Sequence, residues 1–256
     1  MKTIVATLAA VAALGGPTAD AQNEKPTIVL VHGAFADSSS WNGVIRILEA
    51  DGYPVVAAAN PLRSVKGDAK YVGDIVASIK SPVVLVGHSY GGLVISDAAN
   101  GRANVKSLVY VAAFAPESGE TALELSGKFP GSTLGEALAP PVSLPGGVKD
   151  LYILQDKFPD QFAADVPKHD ARLMAATQRP ITDAALGEPA DQPAWKSVPA
   201  WFVYGDQDRN IPPQALAFMA QRAQSKETVV VKGASHVVMI SHPAAVAKAI
   251  EHAAVK

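Results

Sequence analysis

No cysteine occurs among the 256 residues of this chain. Disulfides, cysteine-based metal sites, c-type haem attachment and lipidated cysteines are therefore excluded, and the fold must rely on its core alone. An excess of basic charge is also missing. The formal net charge is −2 and no basic cluster is present, so no nucleic-acid partner is expected. No apolar run is long enough to span a bilayer comfortably. The H-E-x-x-H pattern is absent, and no histidine–carboxylate spacing suggests a metal site, so no metal or other cofactor is expected. What is present is 48% hydrophobic and 18% charged residues, a balance that suits a packed domain and not a disordered chain. The length accommodates one α/β domain with a full core, or one domain with an inserted lid.

The first residues read as a targeting segment. Lys2 gives a weakly positive start, Ile4 to Leu14 is apolar and alanine-rich, and Ala19-Asp20-Ala21 supplies the small residues of a cleavage site. Residues 1–21 are read as a signal peptide and 22–256 as the mature domain. A periplasmic or secreted protein follows, with no stable membrane insertion after cleavage.

Apolar, often β-branched runs recur at Thr27 to Val31, Tyr53 to Ala59, Pro82 to Val86, Lys106 to Ala112, Ala200 to Tyr204 and Glu227 to Val231. They are continuous, not alternating, as strands of a parallel sheet covered on both faces should be. Helical patterns lie between most of them: Ser39 to Ala50, Asp68 to Ile79, Gly91 to Asn100, Pro213 to Gln221 and Pro243 to His252. Pro213 and Pro243 suit first helical turns, where the missing N–H would be orphaned anyway. The fold class is α/β, with a mostly parallel sheet of about six strands covered by helices. Between Pro116 and about Gln192 no sheet strand is expected; the stretch carries Leu123-Glu124-Leu125, a proline-glycine region from Pro140 to Gly147, and helices near Pro159 to Ala164 and Lys168 to Gln178. This stretch, 116–192, reads as an inserted cap.

The chemistry centres on Gly87-His88-Ser89-Tyr90-Gly91-Gly92, directly after a strand-like run and before a helix-like one. A G-x-S-x-G core in that context is a tight turn that lifts a serine hydroxyl to the top of a sheet. An alcohol is a poor nucleophile near neutral pH. It needs an imidazole to take its proton, a carboxylate to orient that imidazole, and N–H donors for the developing oxyanion. Ser89 supplies the nucleophile. His236, in the loop after the last strand, supplies the base. Asp206 and Asp208 both follow a core strand and compete for the acid. The Tyr90 amide is one oxyanion donor by position, and Ala34 or Phe35, after His32-Gly33, supplies the other. Phe35, Tyr90 and Phe114 are candidates for the mouth of the site, with Leu123, Leu125 and Trp195 as candidates from the cap side. His32 reads as structural, His88 as pointing away from Ser89, His242 as marking a helix start, and His169 and His252 as ordinary helical residues.

These motifs resemble the α/β-hydrolase fold family over essentially the whole mature chain. The resemblance is greatest to its small members, the plant methyl esterase, salicylate-binding esterase and hydroxynitrile lyase group and its bacterial relatives. It rests on His32-Gly33-Ala34, Trp41, the Gly87–Gly92 motif, Asp206-Gln207-Asp208 and the loop ending at His236. It implies Asp208 as the acid, Ala34 as the second oxyanion amide, and a serine carboxylic-ester hydrolase acting on small or aromatic esters through an acyl-enzyme. Amide, lactone or carbon–carbon hydrolysis, a lyase step, or a non-catalytic ligand binder are the alternatives. Hydroxynitrile lyases of the group carry lysine after the histidine and threonine at the position of Gly33. Here those positions hold Val237 and Gly33.

Overall fold

A computed structural model describes residues 25–255. The expected signal peptide lies outside the described residues. Among them, no helix is long and apolar enough to cross a membrane.

From the N-terminal side, β1 (Thr27–Val31) leads through a short 3-10 turn (Ser38–Trp41) into α1 (Asn42–Ala50) and β2 (Val55–Ala58). Then come α2 (Val65–Ser78), β3 (Val83–His88), α3 (Gly91–Ala98) and β4 (Val105–Val111). The cap follows, with α4 (Ala122–Gly127), α5 (Leu134–Ala137), β5 (Val142–Ser143), β6 (Lys149–Leu151), α6 (Phe158–Phe162), α7 (Lys168–Thr177), β7 (Ile181–Thr182) and α8 (Asp183–Gly187). The chain closes with β8 (Ala200–Gly205), α9 (Pro213–Arg222), β9 (Thr228–Val231), α10 (Val238–Ser241) and α11 (Pro243–Ala254).

The main sheet has six strands in the order β2-β1-β3-β4-β8-β9, all paired in parallel. Every residue of β1, β3 and β8 is buried, because helices cover both faces. The edge strands β2 and β9 stay partly exposed. The chain leaves β1 toward β2 on one side and returns to β3 on the other. Strand order therefore reverses at β1, and the loops beyond the carboxyl ends of β1 and β3 open a crevice there. Val31 pairs with Gly87, so those two loops emerge side by side.

Helix packing on this sheet is close enough to dictate residue size. A Cβ at Gly92 would lie 2.1 Å from the Phe114 carbonyl oxygen, well inside contact distance. Gly92→Ala is expected to destabilise the fold by about 3 kcal/mol, because α3 must move off the sheet. Urea denaturation checks this, and a change within 0.5 kcal/mol, the usual size of surface effects, would show that α3 moves freely.

The cap holds more elements than expected: the sequence pattern anticipates neither the helices α4, α5 and α8 nor any strand. It holds a small antiparallel sheet, β5-β6-β7. Strands of two and three residues are too short to leave a period in the sequence. Three arginines tie the cap to the body, Arg209 among them through the Asp160 carbonyl at 3.1 Å. Arg63 donates to Asp150 Oδ1 at 2.6 Å and to the Pro180 carbonyl at 2.7 Å. Arg222 grips both Glu120 oxygens, at 2.9 and 2.7 Å, and donates to the Ala115 carbonyl.

Candidate active site

Ser89 occupies the turn between β3 and α3 with φ of 53°, a left-handed backbone that a side chain adopts only under constraint. Three hydrogen bonds impose it. The Ser89 amide donates to the Val111 carbonyl at 3.2 Å, and the Ser89 carbonyl accepts from Gly92 at 2.9 Å and Phe114 at 3.2 Å. The β1 loop presses against this turn. A Cβ at Gly33 would stand 2.6 Å from Ser89 Cβ and 2.7 Å from the His88 carbonyl oxygen. Only glycine lets the two loops approach this closely.

Opposite the turn, His236 Nδ1 donates to Asp208 Oδ2 at 2.7 Å, and both side chains are almost fully buried. Asp208 Oδ1 accepts from the Asn210 and Ile211 amides at 2.8 and 3.0 Å. The carboxylate thus has both oxygens occupied, and the ring is held in one orientation. Asp206 does different work. Its Oδ1 accepts from the Gly233 amide at 2.7 Å, tying the β8 loop to the histidine loop.

Ser89 and His236 line one cavity of about 130 Å³, together with Ala34, Phe35, Tyr90, Phe114 and Leu123. Ser89 and His236 make no direct hydrogen bond in this structure; contacts between a nucleophile and its base tighten as a reacting carbonyl is engaged. The Phe35 amide is committed to the Arg179 carbonyl at 3.0 Å. The Ala34 and Tyr90 amides donate to no backbone or side-chain acceptor among the described residues. Of the sequence alternatives for the second donor, Ala34 alone is free. The Tyr90 hydroxyl points elsewhere, donating to buried Asp68 Oδ2 at 3.0 Å.

The cavity does not include Leu125 or Trp195. Leu125 is buried on the inner side of α4, whereas Leu123 on the same helix is 65% exposed at the cavity rim. The Trp195 indole N–H donates to the Pro116 carbonyl at 2.7 Å, away from the site. The sequence reading missed Phe162, Leu186 and Asn210, which also line the cavity. Only Asn210 carried a signal, its place two residues after Asp208. A larger surface groove of about 610 Å³, between α1, α7 and the α10–α11 corner, contains neither Ser89 nor His236.

Two further histidines lie beneath the site, both fully buried. His88 Nε2 donates to the His236 carbonyl at 3.1 Å, not toward Ser89. His32 Nδ1 donates to the Gly33 carbonyl at 2.9 Å. Burial holds His88 well below the usual imidazole range and pushes His32 down to about 4, so both are neutral near pH 7. The unfolded chain binds these protons near pH 6.5, and the folded chain refuses them. Stability is therefore full above pH 6.5 and falls as acid is added, for His32 down to about pH 4. Asp97, raised by burial to about 6, opposes part of this decline. His32→Gln is expected to flatten the pH dependence of stability between pH 6.5 and 4 by up to about 1.4 kcal/mol per pH unit. Denaturation across that window checks it, and parallel curves for the two proteins would refute it.

Comparison with known proteins agrees with this geometry. Residues 28–249 match the model of the alpha/beta hydrolase family. The chain is 27% identical over 253 residues to alpha/beta hydrolase nvfD of Aspergillus novofumigatus (strain IBT 16806), covering 90% of this chain and 97% of that protein. It is 26% identical over 241 residues to the alpha-hydroxynitrile lyase of Arabidopsis thaliana, covering 86% and 93%. The crystal structure of polyneuridine aldehyde esterase superposes with a TM-score of 0.77 at 19% identity, over 90% of this chain and 99% of that one. A parallel sheet whose β3–α3 turn presents a serine, matched by the family model over nearly the whole described chain, leaves one assignment: the protein belongs to the α/β hydrolase family, as an enzyme of the serine-hydrolase type.

Proposed function

We propose that this chain is a serine carboxylic-ester hydrolase that acts on small or aromatic esters through an acyl-enzyme. The observation that carries the reading is the convergence on one small cavity of Ser89, the Asp208-held ring of His236, and two uncommitted amides at Ala34 and Tyr90. His236 takes the Ser89 proton as the hydroxyl oxygen attacks the ester carbonyl carbon. The Ala34 and Tyr90 amides hold the oxyanion, His236 returns the proton to the departing alcohol, and water then releases the acid by the same route. Phe35, Phe114 and Leu123 give the cavity apolar walls, which suit a small or aromatic group. The cap, taken as residues 116–192, sets selectivity, and the pattern over residues 1–21 supports export to the periplasm or beyond.

A lyase reading has less support. The position after His236 is Val237, fully buried and uncharged. The backbone at Gly33 leaves no room for a threonine beside Ser89. Neither of the lyase group's two distinguishing side chains is available. The test is to mix purified enzyme with a fluorophosphonate and, separately, with a slow-deacylating p-nitrophenyl ester, and to read intact mass. One adduct on Ser89 in each case is expected. Ester turnover with no trapped acyl-enzyme and no labelling would overturn the reading.

A further inference from the structure

Asn210 follows the Asp208 pair and lines the same cavity, with 3% of its surface exposed. Three of its four polar groups are committed. Its amide N–H donates to Asp208 Oδ1 at 2.8 Å. Its backbone carbonyl accepts from Ser132 Oγ at 2.9 Å. Its side-chain oxygen accepts from Gln161 Nε2 at 2.9 Å. The fourth group, Nδ2, is buried without a partner. A buried amide N–H₂ left unmatched is uncommon and calls for a ligand or a structural reason.

The orientation of that amide is fixed from outside the site. Gln161 Nε2 also donates to the Arg209 carbonyl at 3.0 Å, and Thr133 Oγ1 donates to Gln161 Oε1 at 2.8 Å. A carbonyl cannot donate, so the Gln161 nitrogen must face Arg209. It then demands the oxygen of Asn210, and the Asn210 nitrogen is turned the other way. Elsewhere around the cavity the side-chain donors outside the Ser89–His236 pair are spent. Ser126 donates to the Leu123 carbonyl, Ser132 to Asn210, and the Tyr90 hydroxyl to Asp68.

We propose that Asn210 Nδ2 donates a hydrogen bond to an acceptor oxygen of the ester substrate other than the reacting carbonyl. The preferred substrate class is then an ester with a ketone or ether oxygen on its acyl or alcohol chain, seated in an otherwise apolar cavity. This rests on the serine-esterase reading and narrows it. A site with a buried donor rejects the analogue that cannot engage it, because the donor is stripped of water without return.

The test compares matched esters: phenyl hexanoate against its singly oxo-substituted counterparts, and butyl benzoate against methoxyethyl benzoate. In wild type, kcat/KM for the best acceptor-bearing ester is expected to exceed its apolar match by roughly 3- to 10-fold. In Asn210→Leu that ratio is expected to fall toward one. Should Asn210→Leu not fold, Gln161→Met, which removes the orienting bond from outside the cavity wall, is expected to shrink the ratio too. No acceptor preference anywhere in the wild-type panel, or a ratio unchanged in the folded variants, overturns the proposal, a water-filled niche then accounting for the unmatched amide. Those outcomes leave esterase activity and Ser89 labelling intact. Failure of the serine reading would instead show as no labelling and no ester turnover by Ser89.

Discussion

Ser89→Ala is expected to lower kcat on ester substrates by on the order of 10⁵-fold or more, with residual rate from the Ala34 and Tyr90 amides and from substrate binding. The size follows from the geometry. Ser89 is the hydroxyl that the β3–α3 turn holds in a left-handed backbone at the cavity floor. The other hydroxyls lining the cavity are spent on fixed bonds to Leu123, Asn210 and Asp68. No neighbour can substitute. The variant keeps the Cβ that packs against Gly33, so folding should be intact and the loss should fall on kcat. Steady-state kinetics and thermal melting on the same preparations check both halves. Turnover above about one per cent of wild type, beyond what an oxyanion hole alone supplies, would mean that another group is the nucleophile.

The sheet was legible because each strand is a continuous apolar run. β1 has the bounds read from its sequence. β3 runs two residues past the expected Val86, because Gly87 and His88 still pair with Tyr110 and Val111 of β4. A glycine that reads as the start of a turn is there the last step of a ladder. The cap was legible only as an excursion. Its strands are too short for a period, and Ile181 in β7 pairs with Leu151 across a long separation in sequence. Leu123 and Leu125 could have been told apart. Residues two apart on a helix point about 200° from each other, so one rim contact implied that the other was buried. Phe35 against Ala34 could not be decided from local sequence, since the acceptor that occupies the Phe35 amide is Arg179, far along the chain. For the same reason Gln161 and its hold on Asn210 left no trace in sequence.

Asp208→Asn is expected to lower kcat by on the order of 10⁴-fold with little change in KM, and the hydrogen bonds around the carboxylate say why. Two backbone amides, Asn210 and Ile211, donate to Asp208 Oδ1. An asparagine placed there must put its carbonyl oxygen toward those donors, because an N–H₂ would face two other N–H groups. Its nitrogen is then forced against His236 Nδ1, which must become an acceptor. The ring proton moves to Nε2, the nitrogen that receives the Ser89 proton in the proposed mechanism, so that mechanism loses its base while the ring stays in place. Asp206→Asn provides the contrast. Its partners are the Gly233 amide and the Gln207 side chain, so the same chemical change should cost a loop contact, with kcat reduced less than about tenfold, the cost of one ordinary hydrogen bond. Fluorophosphonate labelling rates of the two variants measure the difference directly, since labelling needs the same proton transfer as turnover. Equal losses in the two variants would assign the carboxylate role to the turn as a whole and not to Asp208.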